Sequence, residues 1–185
     1  QTHRAFYTNA AYAENYHYED HIVKDVIGFV DATFPTKATR AGRVIGGLSM
    51  GGYGAMKLAL KHPKLFVAAH SHSGAVRGAF RKAEEEPRRG LDQREFDALF
   101  GDQQWGSPND PMFLAEHCPQ KQRPALYIDC GTEDFLLQAN RSFHKHMLKL
   151  KYKHVYKEFP GSHNWGYWDE HIQDALAFYK PLLKL

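Results

Sequence analysis

The stretch RVIGGLSMGGYG, residues 43–54, decides the fold. Residues 43–48 form a short apolar run that is typical of a buried strand, and residues 50–61 are predicted to form a helix that ends at His62-Pro63. Ser49 lies between them, with a glycine two positions before it and another two positions after it. A serine on such a tight strand-to-helix turn holds its hydroxyl free above the edge of a sheet. The sequence therefore predicts that Ser49 is a nucleophile.

A nucleophilic serine needs a base that is held in place by an acid, and two later loops offer these groups. A predicted strand over 125–130 runs straight into Glu133 and Asp134, and His163 lies in the loop just after the last predicted strand. The carboxyl ends of parallel strands meet at one edge of a sheet. Both carboxylates qualify by position, although an acid there can also simply cap the following helix. We expect His163 to lie roughly 2.6–3.2 Å from the Ser49 hydroxyl and from the acid.

Strands and helices alternate along the chain, which predicts a mostly parallel sheet with helices on both faces, an α/β domain. All 185 residues are expected to form one domain, with an irregular, partly helical insertion at 75–123. The predicted strands are 43–48, 65–72, 125–130 and 154–159, and the predicted helices are 18–34, 50–61, 92–100, 136–150 and 167–183, the last with a break near Pro181.

Composition excludes several classes of protein. The net charge is only +3, and the basic residues are interleaved with acidic ones, which argues against a dedicated nucleic-acid binder. No run of about 18 apolar residues is present, so we expect no membrane span. Cys118 and Cys130 flank a strand roughly 20 Å long, which is too far for a disulfide. The sequence gives no indication of the oligomeric state.

Several histidines and aromatic residues allow two interpretations. His70 and His72 could bind a metal from one face of a strand, but no third ligand stands out, so we expect no metal site. Trp165, Tyr167 and Trp168 could line a substrate cleft or pack the last helix. The remaining histidines considered are expected on solvated helix faces or strand ends: His144, His146, His154 and His171.

Three motifs, in this order, resemble one known family: GGLSMGGYGA at 46–55, CGTEDFL at 130–136 and GSHNWGYW at 161–168. They resemble the "putative esterase" branch of the α/β-hydrolases. That branch contains esterase D-like, tributyrin, cinnamoyl, feruloyl and acetyl-xylan esterases, S-formylglutathione hydrolases and mycolyltransferases. The resemblance runs from about Tyr7 to the end of the chain and implies the α/β-hydrolase fold.

The resemblance also implies roles for individual residues. Ser49, Asp134 (in preference to Glu133) and His163 would form a catalytic triad, and the amide of Met50 would contribute to the oxyanion hole. No cofactor is implied, and the expected partner is a small ester. The expected substrate contacts are Trp165, Leu136 and Tyr7.

The chain departs from the family pattern before Ser49. Members of the family begin with several strands and a His-Gly loop that supplies a second oxyanion amide, and no such loop is found here. We therefore expect the chain to be the C-terminal two-thirds of the domain. Residues before Gln1 should then supply strands beside 43–48 and the second amide.

Three functions remain open at this point. The first is an esterase acting on small acyl or aryl esters, including feruloyl or acetyl esters of plant polysaccharide, which the HNWGYW run favours. The second is a thioesterase of the S-formylglutathione type, or an acyltransferase. Thioesterases of the family carry histidines where this chain has Leu48 and Tyr53. The third is a non-catalytic binding protein, which a missing triad member would favour, and none is missing.

Overall fold

A computed structural model describes residues 5–12, 16–76, 93–101 and 106–184. Within these ranges the chain forms one parallel sheet and six helices of seven residues or more. The strands are β1 (Val44–Leu48), β2 (Ala68–His72), β3 (Ala125–Gly131) and β4 (Val155–Phe159). The helices are α1 (Tyr18–Asp20, the π-helical His21–Val26 and Ile27–Thr33 in succession), α2 (Met50–Lys61), α3 (Gln93–Phe100), α4 (Pro111–His117), α5 (Leu137–Lys149) and α6 (Trp165–Leu183).

The sheet has four strands in the order β1-β2-β3-β4, and every neighbouring pair is parallel. Leu48 is in register with His72, and His72 with Asp129. Ser49, Ser73 and the loops after β3 and β4 therefore all leave the sheet at the same edge. Within the described ranges, no strand pairs with the outer side of β1.

Alternate residues of the central strands face two different layers of helices. Leu126 and Ile128 of β3 belong to the main core, where they join Met56 of α2 and Phe143 of α5. Tyr127, between them in sequence, instead contacts Phe178 of α6. Helices thus cover both faces of the sheet, as the sequence predicts.

A buried ionic cluster ties the N-terminal segment to α2. Glu19 is 4% exposed and Lys57 is fully buried, and their charged groups are 3.0 Å apart. Lys61 and His62 each lie 2.8 Å from the same carboxylate. The Lys57 ammonium also donates to the backbone oxygen of Tyr7, so this cluster fixes the segment that carries Tyr7.

Some sequence expectations differ from the structure. Helix α6 continues through Pro181 to Leu183, so the predicted break is wrong. Pro181 has no N–H to donate to the carbonyl four residues earlier, so the helix loses one backbone hydrogen bond there but does not end. His171 is buried rather than solvated, since its ring stacks on Phe159. Of the predicted insertion, α3 and α4 are seen, whereas residues 77–92 and 102–105 lie outside the described residues.

Two expectations from composition agree with the structure. Both cysteines are free and buried. In the described part of the chain, no helix is long and apolar enough to span a bilayer.

Candidate active site

Ser49 occupies a strained turn between β1 and α2. Its backbone has φ 54° and ψ −117°, in the left-handed half of conformational space that side chains rarely adopt. The Ser49 amide donates to the carbonyl of His72 at 2.9 Å, which anchors the turn to β2. A Cβ atom on Gly47 would lie 2.5 Å from the carbonyl carbon of Gly51. This turn therefore requires glycine at position 47.

His163 connects Ser49 with Asp134. Its Nε2 atom is 2.9 Å from the Ser49 hydroxyl oxygen, and its Nδ1 atom is 2.8 Å from Oδ2 of Asp134. With the ring proton on Nδ1, the imidazole donates to the carboxylate and accepts the serine proton on Nε2. The expected hydrogen bonds are thus present. His163 can take the serine proton on Nε2 while its Nδ1 proton stays hydrogen-bonded to the Asp134 carboxylate.

The Asp134 carboxylate is buried and held from several sides. The amide of Leu136 donates to its Oδ1 atom at 2.8 Å, and the side chain of Ser73 also hydrogen-bonds to the carboxylate. Burial tends to raise the pKa of Asp134, but the hydrogen bonds from His163, Ser73 and Leu136 outweigh it and lower this pKa. The carboxylate is therefore ionised near neutral pH and can stabilise a positively charged imidazolium.

Glu133, the alternative acid, points elsewhere. Its two carboxylate oxygens accept hydrogen bonds from the Thr132 hydroxyl and from the backbone amide of Gly161. The adjacent Asp134 is the residue whose carboxylate contacts His163.

Aromatic side chains surround the His163 ring. The ring of Phe135 lies 4.5 Å from it between centroids, and Trp168 stands edge-on to it at 4.9 Å. Trp165 packs edge-on against Trp168 but leaves 74% of its own surface exposed. Two aromatic rings therefore pack against the imidazole, while most of the surface of Trp165 remains exposed.

A cavity of about 540 Å³ opens beside Ser49. Tyr7 and Trp165 both line it, together with apolar side chains such as Ile45 and Leu58. Leu136 does not line this cavity. Its contact at the site is the backbone hydrogen bond to Asp134.

Met50 is the first residue of α2 and follows Ser49 directly. The first amides of a helix have no acceptor within the helix, and the helix dipole favours negative charge at that end. The Met50 amide is therefore suitably located to stabilise an oxyanion on an acyl group bound to Ser49.

His70 and His72 are occupied by protein partners. Nδ1 of His70 is 2.8 Å from the Tyr179 hydroxyl, and Nδ1 of His72 is 2.5 Å from Asp129. Burial and the neighbouring His72 lower the pKa of His70 to about 3, so His70 is neutral. Among the described residues, no group of three or more His, Cys, Asp or Glu side chains could hold a metal ion.

Sequence reasoning missed the contribution of Ser73 and left that of Trp168 undecided. The indole Nε1 of Trp168 donates to the Ser73 hydroxyl at 3.3 Å, beneath the Asp134 carboxylate. Trp168 lies one helical turn after Asn164, but nothing in that spacing indicates a contact with Ser73. Nothing local in the sequence distinguishes Ser73 from other loop serines.

The chain is similar to several known proteins. A family model described as "Putative esterase" matches residues 2–179. An acetyl esterase of Caldicellulosiruptor saccharolyticus is 32% identical over 94% of this chain, which spans 67% of that enzyme.

Two solved structures of Staphylococcus aureus proteins are also similar. The fluorophosphonate-binding serine hydrolase FphF has a TM-score of 0.82 at 28% identity, over 99% of this chain and 69% of its own. The S-formylglutathione hydrolase FrmB has a TM-score of 0.78 at 27% identity, and the alignment again covers 99% of this chain and 69% of that protein.

Proposed function

The chain belongs to the putative esterase family and is a serine carboxylic-ester hydrolase, and we propose that it releases small acyl groups, acetyl above all, through Ser49, His163 and Asp134. The predicted α/β-hydrolase fold is confirmed by its similarity to serine hydrolases of that fold. The observation that carries the proposed triad is the position of His163, between the Ser49 hydroxyl at 2.9 Å and the Asp134 carboxylate at 2.8 Å.

The proposed reaction has two steps. First, the Ser49 oxygen attacks the ester carbonyl while Nε2 of His163 takes the hydroxyl proton. The tetrahedral oxyanion receives a hydrogen bond from the Met50 amide. His163 then gives the proton to the departing alcohol, which leaves an acyl group on Ser49. In the second step His163 takes a proton from water while the water oxygen attacks the acyl carbonyl, and His163 then returns the proton to the Ser49 oxygen as the carboxylic acid is released. Asp134 stabilises the imidazolium in both steps.

The substrate proposal rests on similarity and on the cavity. The acetyl esterase shares 32% identity with this chain, and the cavity beside Ser49 has a mainly apolar lining that suits a short acyl chain. We propose that Tyr7 and Trp165 contact the substrate there. An exposed tryptophan offers a flat face on which a sugar or an aryl ring can stack, so acetylated sugars and feruloyl esters are both worth testing.

A thioesterase of the S-formylglutathione type is the second candidate. The 27% identity to the S. aureus hydrolase favours it. The two candidates share the triad chemistry and differ in the group that leaves.

A substrate panel tests the proposal. The full chain would be assayed with nitrophenyl esters of increasing acyl length, acetylated xylose, methyl ferulate and S-formylglutathione, with Ser49→Ala as the blank. We expect the highest kcat/KM for acetyl esters, and a loss of about 10⁴- to 10⁶-fold in the blank. A preference for S-formylglutathione would favour the second candidate, and residual activity of Ser49→Ala within about tenfold of wild type would refute the proposed nucleophile.

A further inference from the structure

Glu133 joins the two loops that carry Asp134 and His163. Its carboxylate accepts a hydrogen bond from the Gly161 amide, and its own amide donates to the Gly161 carbonyl at 3.0 Å. The side chain and the backbone of Glu133 therefore both bond to Gly161, one to its amide and the other to its carbonyl. Gly161 lies two residues before His163, and Glu133 directly precedes Asp134.

We propose that Glu133 is a positioning residue that fixes the His163 loop relative to Asp134. This inference rests on the proposed function, because it assigns Glu133 to the proposed triad. Glu133 acts through backbone atoms of the loop, and its carboxylate does not contact the imidazole.

The packing of the two loops explains why such a tie would matter. Gly131 and Gly161 are so close that a Cβ atom on Gly131 would lie 2.1 Å from the Gly161 carbonyl oxygen. The Thr132 amide also donates to Phe159, the last residue of β4, at 2.8 Å. Up to Gly161 the His163 loop is therefore bonded to the β3 loop. Beyond Gly161, Asn164 bonds locally to Ser162, and the His163 side chain reaches Asp134 and Ser49.

The carboxylate of Glu133 is well suited to this role although it is exposed. A carboxylate that accepts a backbone N–H forms a charge-assisted hydrogen bond, which is stronger than a neutral one. The second oxygen accepts from the Thr132 hydroxyl at 2.8 Å, which fixes the rotamer of the glutamate. Hydrogen bonds from Thr132 and Gly161 lower the pKa of Glu133, so the group is ionised at neutral pH.

A comparison of two substitutions tests the proposal. Glu133→Ala removes the acceptor for the Gly161 amide, and we expect kcat to fall roughly 10- to 100-fold because the imidazole is misplaced. KM should change by less than about threefold, because the substrate cavity is left intact. Glu133→Gln keeps an oxygen that can accept from Gly161 and should retain kcat within about threefold of wild type.

Glu170→Ala is the matched control, since Glu170 is an exposed acid on nearby α6 and the charge change is the same. Hydrogen exchange at the Gly161 amide should accelerate in Glu133→Ala alone. Wild-type kcat in Glu133→Ala, or an equal loss of kcat in Glu133→Ala and Glu133→Gln, would overturn the inference. A lower melting temperature with unchanged kcat would also overturn it, because the role would then be structural. If Ser49→Ala remained active, the proposed function itself would fail instead.

Discussion

The indole Nε1 of Trp168 donates a hydrogen bond to the Ser73 hydroxyl at 3.3 Å. Ser73 is fully buried, with its backbone at φ 47°, and its side chain also hydrogen-bonds to Asp134. The hydroxyl accepts from the indole, which leaves its own proton available for the Asp134 carboxylate. The edge of the same indole contacts His163. Trp168 thus restrains the proposed base directly and the proposed acid through Ser73.

Ser73→Ala should weaken both activity and stability, because Asp134 loses a donor. We expect kcat to fall about tenfold and the free energy of unfolding to fall by about 1.5–3 kcal/mol, the range for a hydrogen bond to a charged group.

The effect of Ser73→Ala on stability should depend on pH. The folded-state pKa of Asp134 is lowered, so the stability that this carboxylate contributes is present above the ordinary carboxyl pKa and is lost as the pH falls through the lowered pKa. Urea titrations should therefore show a stability difference between wild type and Ser73→Ala that is complete at pH 7 and shrinks only below about pH 4, as the pH falls toward the lowered pKa of Asp134. A difference independent of pH would contradict this account.

Asp134→Asn should reduce kcat by about 10⁴-fold, because an amide group in place of the carboxylate no longer favours the proton on Nδ1 of His163. Steady-state assays with a nitrophenyl acetate would measure this, and circular dichroism would check the fold. Glu133→Gln is the neighbouring control and should cost much less. If it proved the more damaging change, the choice of Asp134 as the acid would be wrong.

The proximity of the proposed triad could be predicted from the sequence because each member follows a strand. Parallel strands bring their carboxyl ends to one edge, so Ser49, Asp134 and His163 converge once the three strands are recognised. Short apolar runs with glycine-rich ends locate those strands to within about three residues, as the difference between the predicted 65–72 and the observed Ala68–His72 shows.

Side-chain contacts between residues that are far apart in the sequence could not be predicted. Ser73 and Trp168 are 95 residues apart, and nothing in either local sequence specifies their hydrogen bond. The sequence also left Glu133 and Asp134 equivalent by position. The turn after β3 distinguishes them, since it directs one carboxylate to Gly161 and the other to His163.

Glu19→Gln should destabilise the fold by about 3–5 kcal/mol, because it leaves the fully buried Lys57 without its carboxylate. Burial tends to raise the pKa of Glu19, but His62, Lys57 and Lys61 lower it well below its usual range. The stabilisation is therefore complete above the ordinary carboxyl pKa and declines at lower pH. Urea unfolding at pH 7 and pH 4 should show a smaller effect of Glu19→Gln at pH 4.

Lys24→Ala is the control for this cluster. Lys24 pairs with Asp20 on the exposed side of the same helix at 2.8 Å, where solvent screens the pair, so its removal should change stability far less than Glu19→Gln does. Equal losses in the two variants would show that the buried cluster adds nothing beyond a surface ion pair.

Two glycine-to-alanine substitutions should have opposite effects on stability. In Gly131→Ala the new methyl group would lie 2.1 Å from the Gly161 carbonyl oxygen, so the loops carrying Asp134 and His163 must separate. We expect the free energy of unfolding to fall by about 1–3 kcal/mol, as for other overpacked sites, together with a fall in kcat.

Gly28 lies in α1, and a methyl group added there would meet nothing within 4 Å outside its own helix. Gly28→Ala should therefore stabilise the protein by about 0.4–1 kcal/mol with unchanged kcat. Thermal unfolding and nitrophenyl acetate assays of both variants would measure these changes. Wild-type stability and kcat in Gly131→Ala would show that His163 stays beside Asp134 without the close contact of the two loops.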